Sequence, residues 1–224
     1  MRKRLIARSK LSNRQLNQLV DFFALEVPAM KAAHVLRINR HSAERVYQVI
    51  RQHLAWECER RSPLRGEVEA DESYFGGHRK GLRGRGAAGK VAVFGLLKRR
   101  GQVYTRPVPN VTRETLRAVI RQKVPKGSTI YSDQFSSYDG LITEGYRHYR
   151  INHGESFATS RRQHINGIEN FWGYAKTKLK RYYGIPRNQF FLYLKEMEFR
   201  FNHRHDDLPL LIRRILKKAK PVLD

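Results

Sequence analysis

Four carboxylates fall close together in the stretch GEVEADESYFGG at residues 66–77. They are Glu67, Glu69, Asp71 and Glu72. Side chains alternate along a β-strand, so Glu67, Glu69 and Asp71 share one face and Glu72 takes the other. Burying three like charges together is costly unless a cation lies among them. The pattern therefore predicts either a solvated strand face or a site that holds something positive.

Two further carboxylates could complete such a site. Asp133 ends the apolar stretch STIYSD, and Glu169 lies at the edge of the apolar stripe of a helix predicted over about residues 163–181, facing the sheet. Lys176 follows Glu169 by about two helical turns, on the same side. Converging carboxylates suit Mg²⁺, and two such ions ~3.5–4 Å apart promote in-line phosphoryl transfer. Any one of these carboxylates alone could equally be a solvated surface group.

A mixed sheet would position these groups. The sequence predicts strands at 67–75, 90–99, 101–109, 128–133 and 145–153, and helices at 112–124, 163–181 and 188–203. Three antiparallel strands, a crossover helix and further strands give a mixed sheet with helices on its faces. This is the order of a ribonuclease H-like fold, of the α/β (α+β) class. In such a sheet Asp71 and Asp133 can lie on adjacent strands.

The chain before the strands is predicted to be helical over residues 11–55. A break near Arg37–Asn39 gives the pattern of a helix-turn-helix, whose last helix can lie in the major groove of DNA. A plain three-helix packing unit gives the same pattern. Basic residues around the third helix favour DNA contact, and they are Arg37, Arg40, His41, Arg45 and Arg51.

Three segments are predicted from these patterns. A helix-turn-helix region covers residues 1–60, a ribonuclease H-like domain covers 61–205, and a basic helix or tail covers 206–224. The polar stretch WECERRSPLRG at 56–66 is interpreted as a linker. The C-terminal helix is amphipathic and could pack on its own domain, on a second subunit or on DNA.

Composition narrows the class of partner. The chain has 45 Lys and Arg against 20 Asp and Glu, a net charge of +25 and a pI near 10.7. So basic a protein usually binds a polyanion, most often nucleic acid, as an enzyme or as a ribosomal or chromatin-type structural protein. No run of about 18 apolar residues predicts a membrane span. The single Cys58 excludes an internal disulfide framework and a cysteine-rich zinc ribbon, and fits a reducing, intracellular setting.

One glycine-rich basic loop, HRKGLRGRGAAGK at residues 78–90, separates the first two strands. It can follow a phosphate backbone, although an exposed hairpin loop would have the same composition. Its expected DNA contacts are Arg79, Lys80, Arg83 and Arg85. The loop nearly matches a phosphate-binding loop, but Val91 stands where Ser or Thr is required, so no nucleotide cofactor is expected.

The helix that carries Glu169 also carries a run of lysines. Lys176 and Lys178 are expected to contact DNA, although such a run is commonly a solvated helix face. Trp172 lies on the apolar stripe and is interpreted as a core anchor rather than a base-stacking platform.

Several long motifs, in this order, resemble one family. VEADESYFGG, GRGAAGKVAVFGLLKR, YSDQFSSYD and HINGIENFWGYAKTKLKRYYGI resemble the bacterial insertion-sequence transposases of the DDE class, in the group related to the eukaryotic Merlin transposons. The resemblance covers about residues 66–204. It implies that Asp71, Asp133 and Glu169 form the metal-binding triad and that Lys176 is the basic residue that follows it. Asn166 is a further candidate ligand, because some relatives carry Asn in the third place.

The resemblance also implies a cofactor and partners. Two Mg²⁺ ions per active site are expected, with Mn²⁺ able to substitute. The expected partner is double-stranded DNA, both transposon ends and target, bound by a homodimer or higher assembly in the bacterial cytoplasm, associated with the nucleoid. A catalytically silent derivative that only binds DNA is the alternative. A tyrosine recombinase is not favoured, because the one His-x-x-Arg match, His34 to Arg37, lies far ahead of any candidate tyrosine.

Overall fold

A computed structural model describes residues 5–6, 9–60, 64–76, 90–133, 136–138, 140–151 and 165–218. Its helices are α1 (Asn13–Ala24), α2 (Ala29–Leu36), α3 (Arg40–Glu59), α4 (Arg113–Lys123), α5 (Asn166–Lys180), α6 (Arg187–Asn202) and α7 (Leu208–Lys218). Its strands are β1 (Glu67–Phe75), β2 (Val91–Lys98), β3 (Val103–Val108), β4 (Thr129–Ser132) and β5 (Arg147–Arg150). The chain divides into two compact units, Met1–Arg60 with Lys195–Asp224, and Arg61–Leu194.

The first unit is helical and begins with a well-capped helix. The Ser12 hydroxyl accepts from the Gln15 backbone N–H, and the Gln15 side chain accepts from the Ser12 backbone N–H. α2 ends at Arg37, which adopts the left-handed conformation with φ 50°, and α3 starts after a three-residue turn. The core of the unit includes Leu16, Leu19, Ile50 and Leu54, all fully buried. The three predicted N-terminal helices are confirmed.

α3 is longer than the sequence predicted. It runs to Glu59, so the stretch interpreted as a linker from residue 56 begins as helix. Cys58 is fully buried, and its Sγ lies 3.8 Å from the carbonyl oxygen of Lys195. Cys58 follows Leu54 by four residues and so continues the buried face of the helix. The linker prediction was therefore wrong for residues 56–59, because the polar residues around Cys58 obscured that face.

The C-terminal helix packs on the helical unit. α7 places Ile212, Ile215 and Leu216 in the same core as α1 and α3. The sequence left three packing partners open for the apolar face of α7. In the structure that face packs on the helical unit of the same chain. Within the described part of the chain, no helix combines the length and the apolar character needed to cross a bilayer.

The second unit is built on a five-stranded sheet of order β3-β2-β1-β4-β5. β1, β2 and β3 are antiparallel, whereas β4 and β5 run parallel to β1. On one face, Val68 and Ala70 share a core with Leu116 and Ile120 of α4. α5 covers the other face, where it meets β1 and β2. The predicted class, a ribonuclease H-like mixed α/β sheet flanked by helices, is confirmed.

Candidate active site

Asp71 lies on the central strand, where its carboxyl group is desolvated beside other acids. Burial, then the charge of Glu72, and less strongly that of Asp133, raise its pKa from 3.8 to about 7. Hydrogen bonds from Trp172 and from the Glu72 backbone oppose that rise. Burial disfavours the charged form, and each nearby negative charge adds to the penalty. None of these influences comes from a cation, so Asp71 lies in a locally anionic environment.

Asp133 is the second carboxylate at this point of the sheet. In the parallel pairing of β1 with β4, Ala70 lies opposite Ser132. The residues that follow them, Asp71 and Asp133, are therefore neighbours on adjacent strands, and Asp133 is close enough to raise the pKa of Asp71. The structure brings these two carboxylates together, as the sequence predicted from the position of each near the end of a strand.

Trp172 of α5 contacts Asp71 directly. Its indole Nε1–H donates to Asp71 Oδ2 at 3.0 Å, and the side chain is only 5% exposed. Gly95 lies opposite Asp71 on β2 and makes room for the ring. A Cβ at Gly95 would stand 2.4 Å from Trp172 Cζ2 and 2.7 Å from Cη2. Trp172 is buried, as interpreted from the sequence, but its hydrogen bond to Asp71 was not predicted.

Glu69 holds the start of α5 against the sheet. Its side chain is 2% exposed, and its Oε2 accepts from the backbone N–H of Ile168 at 2.9 Å. Its other oxygen accepts from Arg99 Nε at 3.2 Å. A Cβ on Gly167 would lie 2.8 Å from Glu69 Oε2, so the helix can approach only because that residue is glycine. Glu69 is thus neutralised by an arginine and a helix N-terminus, whereas Asp71 is not.

Glu72 takes the opposite face, as the strand alternation predicted. It accepts a hydrogen bond from the Tyr138 hydroxyl at 2.9 Å. Burial of Tyr138, and next the charge of Glu72, raise the pKa of that phenol well above its ordinary value. Tyr138 therefore stays protonated and serves Glu72 as a neutral donor.

Glu169 lies in the first turn of α5, and its side chain is exposed. Trp172, which contacts Asp71, is three residues further along the same helix, so Glu169 stands one turn from that contact. Asn166 is also exposed, at the first position of α5. Among the residues that the structure describes, no three acidic, histidine or cysteine side chains are grouped so as to hold a metal ion. The structure brings Asp71 and Asp133 together, and Glu169 does not join them in a cluster of three.

The lysines of α5 occupy two different surroundings. Lys176 is exposed, with its Nζ 5.7 Å from the centroid of the Phe75 ring. Phe75 follows Asp71 by four residues on the same strand face, so Lys176 lies on the side of the sheet that carries Asp71. Lys178 has its Nζ 5.8 Å from the ring centroid of Tyr174. The loop residues Arg79, Lys80, Arg83 and Arg85 fall outside the described part of the chain.

The basic residues of the helix-turn-helix region separate into exposed and buried groups. Arg37, His41 and Arg45 are exposed. Arg40 is exposed as well, and its Nε pairs with Glu44 Oε1 at 2.7 Å. Arg51, grouped with them by sequence, is instead buried, with its Nε 2.7 Å from Glu196 Oε2. The expectation that Arg51 contributes to a DNA-binding surface was therefore wrong, because Arg51 lies on the face of α3 that packs into the core.

The strand order, with Asp71 on β1 beside Asp133 directly after β4, is that of a ribonuclease H-like domain. Residues 63–202 match the ISXO2-like transposase domain, and the chain belongs to this family of DDE transposases. The match spans both carboxylate strands and the whole of α5.

Two relatives and one solved structure accompany that match. An uncharacterized transposase-like protein of Haemophilus influenzae is 46% identical over 121 residues, which cover 54% of this chain and 98% of the relative. An uncharacterized protein in the transposable element ISH50 of Halobacterium salinarum is 26% identical over 176 residues, 71% of this chain and 60% of that protein. The Mos1 transposase paired-end complex with the left transposon end is 12% identical, with a TM-score of 0.30, over 92% of this chain and 78% of its own.

Proposed function

We propose that this protein is the DNA transposase of an insertion sequence, and that it cuts and joins DNA at the terminal repeats of its element. The observation that carries the proposal is that the desolvated Asp71 on β1 lies beside Asp133, which directly follows β4, in a ribonuclease H-like sheet. Membership of a transposase family supports the reaction class. The motifs around Asp71, Asp133 and Glu169 support a place in the group related to the eukaryotic Merlin transposons.

The residues at the site fit a divalent cation. Carboxylate oxygens are the hard ligands that Mg²⁺ prefers. Because the pKa of Asp71 is raised to about 7, ionising that carboxyl at neutral pH costs free energy. A divalent cation held by Asp71 and Asp133 would offset that cost. We assign Asp71 and Asp133 as ligands, with Glu169 from α5 completing a two-ion site, Asn166 as a neighbouring oxygen donor, and Mn²⁺ as a substitute.

Asp71, Asp133 and Glu169 would hold two Mg²⁺ ions, which would supply activation of the attacking oxygen and stabilisation of the leaving oxygen in an in-line phosphoryl transfer. The chain positions the parts of that site. Trp172 donates to one oxygen of Asp71, and Glu69 fixes the start of the helix that carries Glu169. Lys176, on the same side of the sheet, contacts a phosphate beside the scissile bond. Neither DNA strand becomes covalently attached to the protein in this scheme.

DNA recognition is assigned to the helical unit. α3 follows α2 after a short turn, and exposed Arg37, His41 and Arg45 offer contacts to double-stranded DNA, with Arg40 beside them. Arg79, Lys80, Arg83, Arg85 and Lys178 extend the basic surface. Because two ends must be brought together, we propose a homodimer or higher assembly on DNA, associated with the bacterial nucleoid. Binding weakens steeply with salt, because many phosphates are neutralised.

A strand-transfer assay tests the proposal. Purified protein is mixed with labelled duplexes that carry the terminal repeats flanking its gene, in Mg²⁺ or in EDTA. Asp133→Asn removes one carboxylate of the pair, and Glu114→Gln, on the exposed surface of α4, neutralises a matched carboxylate elsewhere. Joined products that require Mg²⁺, survive in Glu114→Gln and vanish in Asp133→Asn are expected. Tight binding of the ends without nicking or joining in Mg²⁺ or Mn²⁺ would leave a DNA-binding protein with a silent catalytic fold.

A further inference from the structure

Three planar side chains are layered on the face of the sheet that carries the carboxylates. The guanidinium carbon of Arg99 lies 3.7 Å from the centroid of the Tyr131 ring. The rings of Tyr131 and Tyr149 are stacked, with centroids 5.4 Å apart and planes 18° apart. Groups at these distances cannot share one face of the Tyr131 ring. Arg99 therefore covers the side toward β1 and β2, and Tyr149 covers the side toward the edge of the sheet.

The inner members of this stack are held rigidly. Tyr131 is 6% exposed, and its hydroxyl donates to Glu67 Oε1 at 2.6 Å. Arg99 is held in turn by Glu69 at 3.2 Å and lies 3.7 Å from Glu67. Stacking on Tyr131 thus fixes the orientation of the Tyr149 ring at little entropic cost when it binds a ligand.

Tyr149 ends the stack with an accessible ring. It lies on β5, the edge strand of the described sheet, and is 43% exposed. Tyr131 is its ring partner among the described residues, and it covers one face of the phenol. Among the described residues no second ring is stacked on Tyr149, and its 43% exposure leaves room for a flat, aromatic ligand.

The platform lies next to the carboxylate pair. Glu69, Tyr131 and Tyr149 are aligned across β1, β4 and β5. Asp71 and Asp133 lie about 6.6 Å further along the strand direction, and one or two strand spacings of about 4.8 Å to the side, which together give about 8–12 Å. Each nucleotide of a stacked strand advances about 3.4 Å along the helix axis. A base on Tyr149 is therefore within about three nucleotides of a phosphate at the carboxylates.

The charge around Tyr149 selects an anionic ligand. Arg147 is exposed two residues before Tyr149, on the same strand face, and its guanidinium is within 3.4 Å of the Gly127 carbonyl oxygen. Arg150 follows Tyr149 and is also exposed. A stacking ring beside exposed arginines is the arrangement that binds a nucleobase and its phosphate without reading sequence.

We propose that Tyr149 is a stacking platform for one unpaired nucleobase of the DNA strand whose phosphate lies at Asp71 and Asp133. The platform holds that base out of the duplex, and Arg147 contacts its phosphate. This inference rests on the proposed function, because it assumes a DNA strand at the carboxylate pair. It adds a subsite that recognises single-stranded character beside the scissile bond.

The test measures stacking on the ring with the full-length protein in EDTA. The probe is a mixed-sequence single strand of about 12 nucleotides, within the usual site sizes, that carries one fluorescent 2-aminopurine. Tyr149→Leu removes the ring, and Tyr149→Phe keeps it. Tyr183→Leu removes a ring that is 98% exposed and belongs to no stack in the proposal, so it serves as the matched control.

The proposal expects 2-aminopurine fluorescence to be quenched by wild type, Tyr149→Phe and Tyr183→Leu. Affinity for the probe is expected to fall about tenfold in Tyr149→Leu, since one stacked base contributes about 1–3 kcal/mol. Equal binding and quenching by Tyr149→Leu and wild type, or equal losses in Tyr149→Leu and Tyr149→Phe, would overturn the platform. A change confined to the sedimentation mass of Tyr149→Leu would also overturn it and assign the ring to a contact between copies.

Failure of the subsite and failure of the proposed function give different results. If only the platform is wrong, the wild-type protein still joins duplexes that carry the flanking terminal repeats in Mg²⁺. Opening the terminal base pair with a mismatch is expected to restore joining by Tyr149→Leu to within about threefold of wild type, because a base already unpaired costs less to extrude. No rescue by the mismatch counts against the platform. Absence of joining and of DNA binding by wild type overturns the function and the inference together.

Discussion

Buried charges in the two units differ in whether an opposite charge lies beside them. In the helical unit, Glu196 lies between Arg51 and Arg200, with N–O distances of 2.7 and 2.8 Å. Lys195 similarly pairs with Glu59 and Glu198 at 2.7 and 2.9 Å. Each of these buried ions has an opposite charge in contact.

On the sheet, Asp71 is buried beside the acids Glu72 and Asp133, and burial and their negative charges raise its pKa to about 7. Groups with strongly shifted pKa values collect at functional sites, whereas closed ion networks serve structure. Among the described residues, a buried carboxylate therefore indicates function where no cation is among the groups that shift its pKa, as for Asp71. By that criterion Glu69 and Glu196 are structural, and Asp71 is the candidate ligand.

The largest effect is expected from opening the closed network. Glu196→Gln leaves Arg51 and Arg200 buried without a negative partner, and the free energy of unfolding should fall by about 3–5 kcal/mol. Urea denaturation measures it. Glu44→Gln, which disrupts an exposed pair with Arg40, should cost no more than about 1 kcal/mol. Similar losses in the two variants would contradict the view that the inner network is structural.

Neutralising Asp71 should raise the free energy of unfolding, whereas neutralising Glu196 should lower it. Its folded pKa of about 7 lies above the ordinary 3.8, so the unfolded chain loses the proton first. The free energy of unfolding therefore falls as pH rises from about 4 to about 7, and changes little above that. In metal-free buffer Asp71→Asn should remove this slope and stabilise the protein by up to about 4 kcal/mol at pH above 7, with no gain near pH 4. Urea titrations across this range, with EDTA, give the profile; parallel profiles for variant and wild type would refute it.

Gly95→Ala should test the hydrogen bond from Trp172 to Asp71 without changing the charge of Asp71. The new Cβ would overlap the Trp172 ring, at an expected cost of about 1–3 kcal/mol in stability. Displacement of the indole breaks its hydrogen bond to Asp71, and strand transfer is expected to fall about tenfold, or 1.4 kcal/mol. Gly173→Ala is the matched control, because nothing lies within 4 Å of its Cβ position. The control should retain activity, and equal activity in both variants would show that the Trp172 contact is dispensable.

A smaller effect should follow from adding a divalent cation to protein prepared in EDTA. In a Trp56→Phe background, Trp172 is the remaining tryptophan and lies 3.0 Å from Asp71. Mn²⁺ is expected to quench its fluorescence, and Mg²⁺ at about tenfold over its Kd should stabilise the fold by about 1.4 kcal/mol. Asp71→Asn should abolish both responses, while Glu196 variants that fold should keep them. Quenching that persists in Asp71→Asn would place the ion elsewhere.

Local pattern accounts for much of the fold. The period-two alternation of residues 67–75 placed Glu69 and Asp71 on one face and Glu72 on the other, and the structure agrees. The mixed sheet with helices on its faces followed from element types and connection rules, whereas its strand order comes from the structure. Two predictions were wrong: Arg51 does not lie on the surface, and residues 56–59 are helix rather than linker. The polar and basic residues at these positions gave no sign that long-range packing buries this face of the helix. The partners of Glu69 are distant in sequence, so no local rule could supply them.

The sequence by itself determined the carboxylates, their faces and the strands that carry them, because side-chain period and apolar runs are local properties. It also determined the excess of positive charge that calls for a polyanionic partner. Only the tertiary structure decided which carboxylate contacts a cation among the described residues. Arg99 and the α5 N-terminus reach Glu69, whereas Trp172, admitted by Gly95, brings Asp71 a neutral N–H. Desolvation and pairing depend on what packs above the strand, and this is set by contacts between residues far apart in the chain.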